Sequence, residues 1–244
     1  MKHKFLFILL FSLVLEGMVT TQAVAGDYVH QVNTLIGTKG TGLTSGYLYP
    51  GATYPYGMVQ FTPSYFSKRS GFVINQLSGG GCEHMGNFPT FPVKGKLKMS
   101  PDNILNYRIN VSEEKGHAGY YEAMVQEDIK AKLTVTERTG MASYEYPADQ
   151  QYGTIIIGGG ISATPIEQAA IVITAPNKCE GYAEGGNFCG LRTPYKVYFV
   201  AEFDTDAFET GTWKREELMP NTTFAEGEYS GVYFTFDVNK KKNI

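Results

Sequence analysis

The chain has 244 residues and a formal net charge of −3, with 21 lysine and arginine against 24 aspartate and glutamate residues. Such a mildly acidic chain has no electrostatic basis for binding nucleic acid or an anionic membrane. Its three cysteines are too few for a disulfide scaffold, and neither C-x-x-C nor H-E-x-x-H, two spacings typical of zinc sites, occurs.

Residues 1–25 are predicted to be a secretory signal peptide. Lys2 and Lys4 give a basic start, and residues 5–15 form an apolar core that is too short to span a bilayer of about 30 Å. Residues 23–25, Ala-Val-Ala, fit a small-residue cleavage site. We expect a soluble protein exported to the periplasm or the medium, without a membrane anchor. Mass spectrometry should find its N-terminus at or near Gly26, and an uncleaved cytoplasmic product would contradict this.

The stretch from residue 33 to residue 60 is predicted to form loops that present aromatic rings. Glycine and proline alternate there with tyrosines, as in the segments 49–51 and 54–57. Rings on rigid loops offer flat apolar faces, and neighbouring amide and hydroxyl groups offer oriented hydrogen bonds. This combination suits a neutral, hydroxyl-rich ligand such as a sugar. Packing of the same rings in the core is the alternative.

Residues 75–89 are predicted to form a second loop. Three consecutive glycines, 79–81, stand beside Cys82, Glu83 and His84. Each glycine would cost a helix about 1 kcal/mol and would weaken a strand. The missing Cβ atoms allow the backbone to approach another group closely, which favours a functional loop. A plain turn between strands is the alternative.

Strands dominate the rest of the chain, and no amphipathic helix follows the signal. Residues 132–136 alternate between polar and apolar, as in a half-buried strand, and β-branched or aromatic runs follow at 154–157, 171–174, 195–203 and 231–236. We predict an all-β fold with one domain over residues 26–244, a large two-sheet antiparallel β-sandwich. Cys179 and Cys189 could pair in an oxidising compartment, and the odd cysteine count leaves at least one free thiol.

An ordered set of motifs resembles the N-terminal part of glycoside hydrolase family 92. These motifs include VNTLIGT, YPGATYPYGMVQFTP, NQLSGGGC, GNFP, KLTVTERTGMASYEYP and PYKVYFVAEFD, and the resemblance runs from Val32 to about Phe236. It implies a calcium-dependent, inverting exo-α-mannosidase, in which an N-terminal β-sandwich precedes an (α/α)6 barrel that carries the catalytic acid and base. This chain matches none of the catalytic motifs. We therefore assign no catalytic residue and no metal ligand, and we expect no calcium in this fragment.

The resemblance also implies that loops of the sandwich form one wall of the sugar site. The candidate substrate-binding residues lie in three loops: Tyr49, Pro50 and Gly51; Ser78, Gly79, Gly80, Gly81 and Cys82; and Phe188 and Cys189. Phe188 would offer an apolar face to a sugar ring. Cys189 would serve as a small wall residue with a free thiol, which competes with its pairing to Cys179. Residues 75–77, Asn-Gln-Leu, replace a histidine-rich stretch of the family, so the linkage specificity is not carried over.

These observations predict a carbohydrate-contacting domain of an exported α-mannosidase that acts on mannose-containing glycans. Its partner would be a C-terminal barrel, and the fragment would not be catalytic alone. A standalone carbohydrate-binding module and a purely structural domain that seals the barrel are the alternatives. The carboxylates that could be offered as acids are expected to be ordinary solvated or hydrogen-bonded groups: Glu83, Glu122, Glu184 and Glu202.

The C-terminal segment predicts an incomplete sheet. The chain ends at Ile244, where the family pattern continues into a further strand of the sandwich. We therefore expect the strand at 232–236 to lack a neighbour and to expose an apolar edge. Such an edge promotes self-association.

Overall fold

The computed structural model describes residues 28–38, 46–64, 71–101 and 110–244. The predicted signal peptide lies outside these residues, so it stays a prediction. The chain divides into two units. The first unit, residues 1–31, contributes a 3-10 turn, Val29–Gln31. The second unit, Val32–Ile244, holds all the strands described below.

Sixteen strands make up the described part of this second unit. In chain order they are β1 (Ala52–Thr53), β2 (Gln60–Pro63), β3 (Phe72–Val73), β4 (Thr90–Lys94), β5 (Val111–His117), β6 (Tyr120–Val125), β7 (Ile129–Val135), β8 (Gly140–Glu145), β9 (Tyr152–Gly158), β10 (Ile166–Ala175), β11 (Lys178–Phe188), β12 (Leu191–Glu202), β13 (Glu209–Lys214), β14 (Glu217–Pro220), β15 (Phe224–Glu226) and β16 (Ser230–Asp237). The predicted all-β fold is confirmed. The runs predicted at 154–157, 171–174, 195–203 and 231–236 correspond to β9, β10, β12 and β16.

The strands form three antiparallel sheets. The large sheet has the order β1-β2-β3-β4-β9-β16-β13-β14. The two smaller sheets are the β5 sheet, with the order β5-β6-β7-β8, and the β12 sheet, with the order β12-β11-β10-β15. The β5 sheet contacts β1 and β2, and the β12 sheet contacts β13 and β16. The layers form the expected sandwich, but with three sheets instead of the predicted two, because two separate small sheets lie against the large one.

The core lies between these layers. Phe72 in the large sheet packs against Tyr121 and Tyr144 of the β5 sheet, with ring centroids 6.3 and 6.2 Å apart. Phe203, the residue directly after β12, packs against Phe234 and Phe236 of β16, at 4.8 and 5.0 Å. Rings from the β5 sheet and from the end of β12 therefore reach into one continuous hydrophobic core.

The expectation that the last strand lacks a neighbour is wrong. In the structure β16 lies inside the large sheet, where Phe234 pairs with Ile155 of β9 on one side and with Thr210 of β13 on the other. Six consecutive residues, 231–236, are buried. Sequence reasoning assumed that the missing neighbour would come later in the chain, whereas both neighbours precede β16. Whether the domain has further strands stays a prediction.

The residues after β16 pair with the edge of β8. The backbone N–H of Tyr144 donates to the carbonyl of Ile244 at 2.7 Å, and the N–H of Ile244 donates back at 3.1 Å. The Ile244 side chain is buried in the core. These residues thus cover the β8 edge with backbone hydrogen bonds.

Candidate functional site

The three loops predicted to line a sugar site come together in the structure. The hydroxyl of Tyr49 donates to the Leu77 carbonyl at 3.0 Å, and the N–H of Gly79 donates to the Tyr47 carbonyl at 2.7 Å. These bonds join the first loop to the second. We call residues 46–51, 77–82 and 186–190 the three-loop cluster.

A disulfide joins the second loop to the third. Cys82 and Cys189 are bonded, with Cα atoms 5.4 Å apart, and Cys179 is free and buried. Both earlier expectations for Cys189, a free thiol and a bond to Cys179, are therefore wrong. Cys179 lies near the start of β11, and Cys189 directly follows its end. Ten residues of extended strand separate their Cα atoms by about 33 Å, so these two cannot meet.

The free thiol of Cys179 has no part in this cluster. Its side chain is fully buried, and this burial raises the pKa of the thiol to about 12. A thiol with a raised pKa stays protonated near neutral pH and is chemically inert. Cys179 is therefore a core residue.

Phe188 packs against the glycine loop and a histidine. Its ring meets the His84 ring edge to face, with centroids 5.0 Å apart. A Cβ atom on Gly80 would lie 3.4 Å from the Phe188 ring, so glycine lets the loop lie close to it. Gly79 and Gly81 have φ angles of +74° and +71°, the left-handed region that favours glycine. The glycines thus shape the loop around Phe188.

Two of the predicted site residues are built into the scaffold. Pro50 is buried, and the N–H of Gly51 donates to the Thr62 hydroxyl at 3.2 Å. A Cβ atom on Gly51 would collide with Thr62 and with the Phe61 carbonyl. These two residues anchor the first loop on β2. The residues that remain exposed are Ser78, Gly79, Gly81 and Cys189.

Buried polar side chains flank the glycine loop. Gln76 is 4% exposed and Asn87 is fully buried. The Asn75 amide donates to the Asn87 side-chain oxygen at 3.1 Å, and the Asn87 N–H donates to the Asn75 side-chain oxygen at 2.8 Å. Both amide atoms of Gln76 and Nδ1 of His84 are buried without a hydrogen-bond partner among the described residues. A buried unpaired polar group costs about 1–3 kcal/mol, so these atoms call for a ligand, water or neighbouring protein.

The surroundings of His84 favour the neutral form of its imidazole. Burial lowers the pKa of its imidazole, because desolvation disfavours the charged form. Near neutral pH the ring therefore offers one donor and one acceptor. The His84 ring and the neighbouring carboxamides are therefore all neutral hydrogen-bonding groups.

The sequence analysis assigns no role to Gln76, His84 or Asn87. The signal that could have identified Gln76, His84 and Asn87 was their position on both sides of three glycines. Tyr195, whose ring lies 6.3 Å from His84, had no such signal because it comes from the middle of β12. Only the fold brings it to the loop.

The carboxylates are engaged locally, as expected. Glu122 accepts a hydrogen bond from Tyr120 at 2.7 Å, and this bond is the first cause of its lowered pKa. Glu184 pairs with Lys196, and Glu202 pairs with Lys178 at 3.3 Å. No three His, Cys, Asp or Glu side chains lie together as a metal site in the parts of the chain that the structure describes.

Comparisons with known proteins identify the family. A family model described as the glycosyl hydrolase family 92 N-terminal domain matches residues 31–244. A protein from Arthroderma benhamiae, named an uncharacterized secreted glycosidase, is 30% identical over 159 residues, which are 56% of this chain and 20% of that protein. The chain thus spans about a fifth of this curated relative.

Solved structures share the fold. A family GH92 alpha-mannosidase from Bacteroides thetaiotaomicron, solved with mannoimidazole, superposes with a TM-score of 0.71 at 24% identity over 86% of this chain and 30% of that one. An inverting mannosidase of the same family from strain VPI-5482 gives 0.73 at 24% identity, over 88% and 30%. Another family GH92 glycosyl hydrolase gives 0.76 at 22% identity, over 89% and 31%. This chain spans less than a third of each.

No helix among the described residues is long and apolar enough to cross a membrane.

Proposed function

The chain belongs to glycosyl hydrolase family 92, whose N-terminal domain it carries, and we propose that its three-loop cluster contacts the sugar of a mannose-containing glycan. Two of the solved relatives that share its fold are mannosidases, and they are about three times as long as this chain. The proposal is that this domain supplies one wall of a sugar site in such a longer enzyme. Catalysis would belong to a further domain, a C-terminal barrel.

The convergence of the three loops carries this proposal. A disulfide and two backbone-directed hydrogen bonds hold together segments that lie up to 140 residues apart in sequence, from Tyr49 to Cys189. Exposed loops that are fixed by a disulfide and by hydrogen bonds are typical of a binding surface. Because such loops are already ordered, they lose less conformational entropy when a ligand binds.

The chemistry of the cluster fits a sugar. A pyranose ring presents apolar C–H faces and neutral hydroxyl groups. Phe188 supplies an aromatic surface, and the His84 ring packed against it supplies a neutral hydrogen-bonding nitrogen. Gln76, three residues before Gly79, supplies an unpartnered neutral carboxamide. Charged groups are absent from the Ser78–Cys82 and 186–190 segments. A neutral polyhydroxyl ligand therefore suits this surface better than an anion does.

Hydrolysis is not proposed for these residues. Inverting glycosidases need two carboxyl groups about 6.5–9.5 Å apart. The carboxylates considered above are engaged in local hydrogen bonds or ion pairs or lie exposed, and no step of the proposal uses calcium. Export of the protein is part of the proposal, supported by the predicted signal at residues 1–25 and by the name of the secreted relative.

The test joins this chain to the barrel of a family member and replaces Phe188 by alanine. Loss of a ring face from a sugar site should lower turnover of an α-mannoside about tenfold to a hundredfold, or about 1–3 kcal/mol. Phe208→Ala is the matched control, because Phe208 is an exposed ring that packs on Tyr152 and belongs neither to the three-loop cluster nor to the β12 sheet. Unchanged turnover per folded molecule in Phe188→Ala would make the loops structural and would reject the proposal.

A further inference from the structure

The β12 strand is a long sheet edge. It runs over twelve residues, Leu191–Glu202, and among the described strands it pairs with β11 alone. Its length is about 40 Å at 3.3 Å per residue. An edge of this kind presents unpaired backbone N–H and C=O groups to any strand that can align with it.

The outer face beside this edge is apolar. Tyr198 and Val200 are 69% and 61% exposed, and they line a groove of about 370 Å³ together with Tyr182, Val172 and Phe224. The Tyr182 and Tyr198 rings lie 5.9 Å apart. Exposed tyrosine and branched side chains beside an open strand edge are typical of a surface that is covered by protein.

Charges of opposite sign bracket this apolar segment. Lys196 pairs with Glu184 of the neighbouring strand and lies 4.2 Å above the Tyr182 ring. Glu202 pairs with Lys178. Because side chains alternate along a strand, Lys196, Tyr198, Val200 and Glu202 all lie on the same outer face. From residue 196 to residue 202, the outer side chains of β12 are therefore, in order, positively charged, aromatic, β-branched and negatively charged.

We propose that β12 pairs with β12 of a second copy of this chain, antiparallel and with Phe199 on the two-fold axis. In this register Lys196 stands opposite Glu202 of the second copy, and Tyr198 stands opposite Val200. Two-fold symmetry makes each pair occur twice. The two β12 sheets become one continuous eight-stranded sheet.

Charge complementarity selects this register and this occupant. A slip that centres the pairing on Tyr198 would put Lys196 opposite Val200, and a slip that centres it on Val200 would put Tyr198 opposite Glu202. The Phe199-centred register instead gives opposite-charge and aromatic–branched pairs, both of which are favourable across strands. It also builds an alternating charge row from Glu184, Lys196 and the second copy's Glu202 and Lys178.

The dimer is independent of the proposed sugar contact. Phe188 pairs with Leu191, which is eight residues from Phe199 along β12, so about 26 Å separates the axis from Phe188. Phe188→Ala should therefore leave the dimer intact. Loss of sugar contact and loss of dimerisation can be told apart.

The test is sedimentation velocity of the purified chain at low salt, alone and as two charge-reversed variants. The native chain should dimerise. Lys196→Glu and Glu202→Lys should each weaken self-association about tenfold or more, because each homodimer then holds two like-charge pairs. An equimolar mixture of the two variants should dimerise again, because every 196–202 pair across the heterodimer is then of opposite sign.

This mixing experiment controls for damage within one chain. Each variant also loses an exposed ion pair between β12 and β11, which costs little stability. This loss is the same whether the variant is measured by itself or mixed with the other variant. A cooperative thermal melt confirms that each variant is folded. A native chain that stays monomeric, single variants that dimerise like the native chain, or a mixture that fails to re-associate would each overturn the proposal. If the native chain stays monomeric, the β12 edge would be open to a different protein partner.

Discussion

Replacing Cys82 and Cys189 together by alanine is expected to lower the free energy of unfolding by about 4–5 kcal/mol. The bond closes a separation of 107 residues, and in the chain-entropy account cross-linking about 100 residues contributes about 4.7 kcal/mol by restricting the unfolded chain. For a domain of this size, the melting temperature should fall by about 10–15 °C. Calorimetry or a thermal melt followed by circular dichroism measures the change.

Cys179→Ala is the matched control for this prediction. Its thiol is buried and free, so the substitution removes one buried sulfur atom and no cross-link, at a cost of about 1 kcal/mol. Treating the native chain with a reductant should reproduce most of the loss seen in the double variant. Equal melting temperatures for the double variant and the native chain would show that the bond does not restrain this fold.

Phe61→Ala is expected to cost about 3–5 kcal/mol, the usual range for removing a fully buried aromatic ring. Phe61 is 5% exposed on β2 and belongs to the main core. Its ring lies so close to β8 that a Cβ atom on Gly140 would sit 2.9 Å from it, so a cavity would open between two layers of the sandwich. Chemical denaturation of the two proteins measures the difference.

Phe188→Ala provides the comparison for Phe61→Ala. Phe188 is half-buried and packs on His84 at the surface, so its loss should cost about 0.5–1.5 kcal/mol. A loss at Phe188 as large as the loss at Phe61 would mean that the third loop is a structural element. A loss at Phe61 below about 1 kcal/mol would mean that the sandwich is not packed as described.

The strands were largely predictable because their physical signals are local. The apolar run at residues 154–157 became β9, buried on both faces at the centre of the large sheet. Alternation at 132–136 matched β7, whose residues 129–133 alternate between buried and half-buried. The alternation of polar and apolar residues and the content of β-branched and aromatic residues are properties of a single strand. They can therefore be recognised in one sequence.

Strand neighbours and cysteine partners could not be predicted because they depend on contacts distant in sequence. The sequence showed that 231–236 is apolar but not that β9 and β13 flank it. Cys179 and Cys189 are near in sequence, yet an extended β11 keeps them apart, and Cys82 reaches Cys189 only through the fold. Proximity along the chain was a poor guide once a strand lay between the two residues.

The resemblance to family 92 was enough to single out the loops of the candidate site, whose contact with a sugar stays a prediction. It identified three loops, and the structure brings all three together. The sequence did not show which loop residues are exposed and which are buried. In the structure Pro50 and Gly51 anchor the first loop, whereas Gly79, Gly81 and Cys189 are exposed. The buried amides of Gln76 and Asn87 were missed, since burial is a property of the assembled fold.

The measurement that tests the sugar contact most directly is an amide-resolved NMR titration of the ¹⁵N-labelled chain with methyl α-D-mannoside, with methyl β-D-galactoside as the control. A single wall of a larger site should bind with a dissociation constant on the order of 1–10 mM. The account predicts saturable shifts at the amides of Gly79, Gly81 and Phe188 that are lost in Phe188→Ala. No shift at these amides, or shifts confined to the groove beside Tyr198, would contradict it.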